Sequence, residues 1–329
     1  MKTALDISIV IVSFNTRDIL RECLQTLIKE ANTLNHEVIV IDNASIDKSA
    51  EMVATEFPTV QLIRSPINLG FAAANNLGFA QAKGRYIILL NSDAFLTAQA
   101  LTKALTFMET HPNVGMGGAR LIGKDGAWQP SARIFPSLLN HLLTISGLST
   151  KYAKSRFFGR VDRTWANPAQ AAAVDWVPGA FAIIRRSVLE TVGYFDEQFF
   201  LYYEEVDLCK RIKTAGHEIW YLPEVVVVHL GGESSKTLED MTISKSGTQI
   251  ALWQLRSNLL FYRKHYGLLW TWLWMQLENV WHLLRIWKNT FQAHPEQELK
   301  IAYSKKIRQL LQQAWQDTRG GRVSPPRPW

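Results

Sequence analysis

An α/β architecture, a mostly parallel central sheet flanked by helices, is what residues 1–250 predict. Short apolar runs recur, helical patterns with capping residues separate them, and polar residues gather directly behind the runs. The first run, residues 7–12 (ISIVIV), is β-branched at every position but Ser8, the composition of a strand buried on both faces. Ser13, Asn15 and Thr16 offer caps after it and Asp18 falls in the first turn. Ile19, Leu20, Cys23, Leu24, Leu27 and Ile28 then follow with helical spacing. A second strand, 38–41 (VIVI), ends at Asp42, and Asp47 stands where the next helix needs a cap. Residues 60–63 (VQLI) and 86–90 (YIILL) repeat the run, and a helical stretch near 97–110 follows the latter. GMGG at 115–118 reads as a strand that needs close backbone approach. In such sheets ligands bind beyond the carboxyl ends of the strands. That rule directs attention to Asp42, to residues 68–79 (NLGFAAANNLGF) and to residues 91–93 (NSD).

The chain has 329 residues, 47% hydrophobic and 20% charged, ample for one or two packed domains and too apolar for a disordered chain. Cys23 and Cys209 sit inside apolar helical patterns without partner spacing, which argues against a disulfide scaffold or a cysteine zinc site and for a reducing compartment. The opening MKTALDISIV lacks the pattern of a secretory signal. SFNTRD stands where a dinucleotide-binding fold would carry GxGxxG after its first strand, and no GxxxxGK[ST] loop occurs.

Each candidate residue has a chemical and a plain reading. Asp42 at a strand end accepts hydrogen bonds from a base or ribose hydroxyl, or else it makes a turn with Asn43 and Ser45. Asp93 ligates a hard divalent cation, or caps the helix near 97–110. Residues 176–216 end in Glu204, Glu205 and Asp207, which open an amphipathic helix behind the aromatic run FFLYY. Carboxylates suit a helix start in any case, but an aromatic wall also raises a carboxyl towards the range a general base needs. His229 follows the strand 225–228 (VVVV) and either completes a metal site begun by Asp93 or is structural.

Taken in order, ISIVIVSFNTRDILRECLQTL, VIVIDNASIDKS, NLGFAAANNLGF, GRYIILLNSDAF, residues 174–216 and VVVHLGG resemble the family 2 inverting glycosyltransferases. The resemblance covers about residues 5–265 and is strongest to the bacterial rhamnosyltransferase-like branch. It implies the GT-A fold, with a Rossmann-like sheet, and the following roles. Asp42 would bind the nucleotide base, helped by Ser13 and Asn15, while Asn68, Gly70 and Phe71 line the nucleotide and sugar-phosphate site. Asp93 closes the family's DxD motif and would hold Mg²⁺ or Mn²⁺ with His229. Here the motif reads Asn91, Ser92, Asp93, so an amide replaces its first carboxylate. Glu205 occupies the position of the family's base, usually an Asp, with Glu204 as the alternative. Trp176 and Gly179 would form a wall of the donor or acceptor pocket. Within residues 123–136, Gln129, Ser131 and Arg133 meet phosphate or sugar, or else solvent. The implied reaction is one in-line displacement that inverts the anomeric centre. The implied donor is dTDP-L-rhamnose or, alternatively, a UDP-hexose; a catalytically silent nucleotide-sugar-binding scaffold is the competing class.

The charge is unevenly spread. Residues 1–255 carry 24 basic and 25 acidic side chains, whereas residues 256–329 carry 12 and 4, with eight of the 12 Trp at or after Trp253. Residues 251–318 therefore read as a basic, Trp-rich helical region behind the catalytic domain of residues 1–250, and 319–329 (RGGRVSPPRPW) as a disordered tail. The longest stretch without a charged side chain in 252–290 is residues 266–277, too short for the roughly 20 residues a membrane span requires. Rings flanked by Arg263, Lys264, Arg285 and Lys288 instead suit an interfacial helix, or a helix packed on the body or on another subunit. The expectation is a cytoplasmic protein, peripheral at the inner face of the cell membrane. Its acceptor would be a polyprenyl-linked sugar or polysaccharide in cell-surface glycan assembly, with residues 149–170 as an acceptor-side loop or a surface insertion. No nucleic-acid motif supports a DNA or RNA partner, and the oligomeric state stays open.

Overall fold

The computed structural model describes residues 5–231, 248–291 and 295–325. In chain order its elements are β1 (Ile7–Ser13), α1 (Arg17–Ala31), β2 (His36–Asp42), α2 (Ser49–Glu56), β3 (Gln61–Arg64), α3 (Phe71–Gln81), β4 (Tyr86–Asn91), β5 (Ala94–Leu96) and α4 (Ala100–Thr110). There follow β6 (Val114–Ile122), β7 (Trp128–Gln129), α5 (Leu138–Ile145), α6 (Leu148–Lys151), β8 (Ala172–Ala173), β9 (Phe181–Arg185), α7 (Arg186–Val192), α8 (Glu204–Thr214) and β10 (Glu218–His229). Two long helices close the chain, α9 (Thr248–Thr290) and α10 (Gln297–Asp317).

One sheet runs β3-β2-β1-β4-β9-β6-β10-β5. Its first four strands are parallel, in the register Ile11 opposite Val40 on one side and Leu90 on the other. β9 then enters antiparallel between β4 and β6, and β10 returns parallel to β6. The two-residue side-chain period sorts β1 between two cores: Ile7, Ile9 and Ile11 pack under α1, α2 and α4, while Val10 faces α3, α7 and α8. Because both faces are covered, the strand needs no polar alternation, as its composition indicates. The close approach expected for GMGG is present. A Cβ on Gly118 would stand 2.4 Å from the Val177 side chain, so no larger residue fits β6 there. The N-cap position of α2 is Lys48 at φ 68°, not Asp47. Asp47 stands one residue earlier, its Oδ1 accepting from Ser49 N at 3.0 Å and its Oδ2 from Arg17 N at 2.7 Å, and ties the starts of α1 and α2 together.

A third core lies between α8 and the long helices and holds Leu252, Leu255, Leu259, Phe261, Trp274 and Leu311. α9 crosses residue 250 without a break, and its first half packs on the body. The change of character comes at Gly267, where φ 84° and ψ 178° leave the helical region. Beyond it Leu268, Leu269, Trp270, Trp272, Leu284 and Trp287 are exposed. The Trp-rich region thus divides: Trp253 and Trp274 are core residues, while the exposed Trp lie past the break. Among the described residues no helix is long and apolar enough to cross a membrane. The segment expected to be disordered turns back onto the body as far as Pro325. Gly320 and Gly321 adopt φ 66° and 79°, and Ser324 Oγ donates to the Gln198 carbonyl at 2.9 Å. The composition that reads as disorder is here a glycine reversal; residues 326–329 lie outside the described residues.

Candidate functional site

The strand order places a topological switch between β1, which leads out to β2, and β4, which leads the other way. Their carboxyl ends open into a cavity of about 310 Å³. Asn68, Gly70, Phe71, Asn91, Ser92, Asp93, Gly179, Glu204, Glu205 and His229, all singled out from the sequence, line this one cavity.

The backbone explains the meeting of Asp93 and His229. β5 pairs antiparallel with β10 in the register Ala94 opposite His229, and Leu230 N donates to the Asp93 carbonyl at 3.1 Å. His229 Nε2 therefore comes within 3.5 Å of Asp93 Oδ1. Gln129 holds the ring from behind: its Nε2 donates to the His229 carbonyl at 2.9 Å and its Oε1 accepts from Nδ1 at 3.1 Å. That bond favours a proton on Nδ1 and turns Nε2 towards Asp93. Asn91 Oδ1, two residues before Asp93, is buried without a hydrogen-bond partner among the described residues. A carboxylate, an imidazole nitrogen and an unclaimed amide oxygen suit Mn²⁺ or Mg²⁺. No three His, Cys, Asp or Glu side chains converge on one point among the described residues, so such an ion would take its other ligands from phosphate oxygens and water.

The opposite wall is the start of α8. Tyr202 and Tyr203 both adopt left-handed backbone, φ 69° and 72°, a strained pair that turns Glu204 and Glu205 into the cavity. The Tyr203 hydroxyl donates to Asn258 Oδ1 and holds the turn against α9. Burial raises both carboxyl groups above the ordinary glutamate range. Glu204 is raised the further, because the Glu205 charge adds to its burial, whereas the Arg133 guanidinium draws Glu205 back down. Each keeps a buried Oε2 with no partner among the described residues. Asp207 belongs elsewhere. It is fully buried against Arg211, Lys264 and His265, which hold its carboxyl down at about 2.

Loop 68–71 forms the third wall. Asn43 Nδ2 donates to Asn68 Oδ1 at 2.9 Å, and Asn43 Oδ1 accepts from Leu69 N at 2.8 Å. Gly70 has φ 82°, and a Cβ there would lie 2.4 Å from the Phe200 carbonyl oxygen, the acceptor for Phe71 N. No other residue fits at that position.

Several expected site residues are placed otherwise. Ser13 is fully buried, its hydroxyl against Thr16 Oγ1. Asn15 Oδ1 accepts from Ile46 N, so its side chain is committed to the loop behind α1. Asp42 is buried beside the cavity rather than in it; burial raises its carboxyl, and its Oδ1 has no partner among the described residues. Trp176 lines a different cavity, with its indole N–H on the Ile134 carbonyl and Arg133 stacked on its ring. Ser131 is a buried strand clamp on Ala119. Sequence reasoning missed the loop-holding role of Asn43, the clamp role of Gln129, and Trp253, whose ring stacks 4.4 Å from that of Phe200, a member of the FFLYY run, in the cavity wall. Asn43 follows Asp42 and carried a signal of its own; Trp253 stands far along the chain from Phe200 and carried none.

A family model described as glycosyl transferase family 2 matches residues 8–193. N-acetylglucosaminyl-diphospho-decaprenol L-rhamnosyltransferase of Mycobacterium tuberculosis (strain CDC 1551 / Oshkosh) is 28% identical over 203 residues, an alignment covering 58% of this chain and 66% of the relative, just under two thirds of that relative's length. Rhamnosyltransferase WbbL of Escherichia coli (strain K12) is 24% identical over 241 residues, 70% of this chain and 85% of that protein. The crystal structure of GalNAc-T7 with UDP, GalNAc and Mn²⁺ shares the fold with a TM-score of 0.56 at 14% identity, over 98% of this chain and 59% of that one.

Proposed function

Because this chain belongs to glycosyl transferase family 2, we propose that it transfers a sugar from a nucleoside diphosphate donor to a hydroxyl of a lipid-linked acceptor, with inversion. One observation carries the reading: the Glu204–Glu205 pair and the Asp93–His229 pair line one and the same cavity. Glu205 takes the proton of the acceptor hydroxyl on its unpartnered Oε2. The hydroxyl oxygen bonds to the anomeric carbon from the side opposite the diphosphate. The bond from that carbon to the phosphate oxygen breaks, and its electron pair leaves with the nucleoside diphosphate. Glu205 is the better base of the two because Arg133 favours its ionised form, whereas the Glu205 charge and burial disfavour ionisation of Glu204. Asp93 and His229 would hold Mg²⁺ or Mn²⁺, which when bound neutralises charge on the leaving diphosphate.

The names of the M. tuberculosis and E. coli relatives support rhamnose as the sugar, and the former name supports a polyprenyl diphosphate sugar as the acceptor; such an acceptor fits cell-surface glycan synthesis. The exposed face of α9 beyond Gly267, with Leu269, Trp270 and Trp287 beside Arg285 and Lys288, supports docking on an anionic membrane surface at the cytoplasmic side. Release of nucleoside diphosphate is the test, measured for dTDP-L-rhamnose and a series of UDP-hexoses on N-acetylglucosaminyl-diphospho-polyprenol with and without Mn²⁺. Metal-dependent release from dTDP-L-rhamnose is expected. Release from a UDP-hexose alone would replace the donor, and binding of neither nucleotide in a thermal-shift assay would remove the reading.

A further inference from the structure

Behind Tyr203 and Trp176 lies a second cavity of about 350 Å³, enclosed by α5, α9 and α10, which the mechanism above does not use. Its wall carries an unusual polar set for a helical core. Glu278 is clamped between His141, 2.5 Å from Oε2, and His282, 3.4 Å from Oε1. The Tyr262 hydroxyl and the Trp274 indole N–H, on side chains 1% exposed, have no hydrogen-bond partner among the described residues. Buried polar groups are paired in folded proteins, so these two groups, the phenol and the indole N–H, point to a ligand.

The chemistry selects its class. A diphosphate would meet the Glu278 carboxylate. An isoprenoid chain would leave the phenol and indole N–H unsatisfied. A sugar ring both donates and accepts, and its apolar faces stack on the Trp and Tyr rings that build the cavity. The volume admits a sugar ring. Position agrees: Tyr203 directly precedes Glu204, and α9, which supplies Trp274 and Glu278, presents its exposed Trp-bearing face just beyond. We infer that this cavity is a carbohydrate subsite, holding a sugar unit of the lipid-linked acceptor apart from the donor cavity. The word acceptor rests on the glycosyl-transfer reading; the carbohydrate subsite itself does not.

Saturation-transfer NMR on the full chain tests it, with the methyl glycosides of glucose, N-acetylglucosamine and rhamnose as probes. At least one glycoside should bind, and Tyr262→Phe and Trp274→Phe should each weaken it by roughly five- to tenfold. Thermal shifts with UDP and dTDP should not change. Tyr262→Phe removes only an unpaired oxygen, so it keeps the fold, and a merely structural tyrosine would leave sugar binding untouched. No transfer to any glycoside, or transfer equal in wild type and both variants, would overturn the subsite. Sugar binding without nucleotide binding would support the subsite while removing the donor assignment. Nucleotide binding without sugar binding would do the reverse.

Discussion

Glu204 and Glu205 share one buried wall, yet a single guanidinium separates their roles. Both carboxyls are raised by burial, so the ascending limb of a pH–rate profile should lie above the ordinary glutamate range, near 4.3. The base works ionised, so activity rises with pH through the raised value. Arg133 opposes the shift at Glu205, and its own position is set by Asp162 at 3.1 Å and by the Trp176 ring. Arg133→Met should therefore move the ascending limb of kcat/KM to higher pH, by about one pH unit, with the plateau little changed. An unmoved limb would assign the base elsewhere. The motifs alone make Glu205 a candidate; what they do not carry is the cation that distinguishes it from Glu204, since Arg133 lies 72 residues away in a loop with no motif of its own.

At the scale of the element, α8 spends its first-turn carboxylates in two directions. Asp207 follows Glu205 by two positions, about 200° around the helix, and so faces α9 rather than the cavity. There it binds Lys264 and His265, both at 2.7 Å, and fastens the helical extension to the base-bearing helix. Its carboxyl is depressed to about 2, so its contribution is full above the unfolded value near 3.9 and is lost as pH falls through the folded one. The amount is about 2 kcal/mol. Asp207→Asn, which strands the two cations, should cost about 3 kcal/mol in urea unfolding at pH 7 and should flatten the loss of stability between about pH 4 and pH 2. Equal acid sensitivity in variant and wild type would remove the anchor. The strands and helices of the first hundred residues were legible because apolar runs and helical spacing act locally; the caps were not, since the N-cap positions of α1 and α2, Thr16 and Lys48, carry no side-chain cap. The antiparallel entry of β9 was not, since residues 181–185 (FAIIR) carry the same apolar signature whichever way they pair.

For the molecule as a whole, the basic, Trp-rich character of the C-terminal region is visible in composition, but its division is not. Apolar periodicity marks a face without saying whether protein or lipid covers it, so core Trp253 and Trp274 look like exposed Trp270 and Trp287. The full chain should float with vesicles containing anionic lipid, and replacing Trp270, Trp272 and Trp287 by Ala should weaken this by at least about tenfold without lowering the Tm. Absence from the vesicle fraction would leave that face to another partner. Both cavities are lined in part by α9, which also carries the exposed face. The central claim is best tested by the turnover of wild type, Glu204→Gln and Glu205→Gln with the active donor and a lipid-linked acceptor. Glu205→Gln should lower kcat by about 10²–10⁴-fold with donor affinity and Tm unchanged, and Glu204→Gln by less than about tenfold. Wild-type turnover in Glu205→Gln would contradict the assignment of the base and the mechanism built on it.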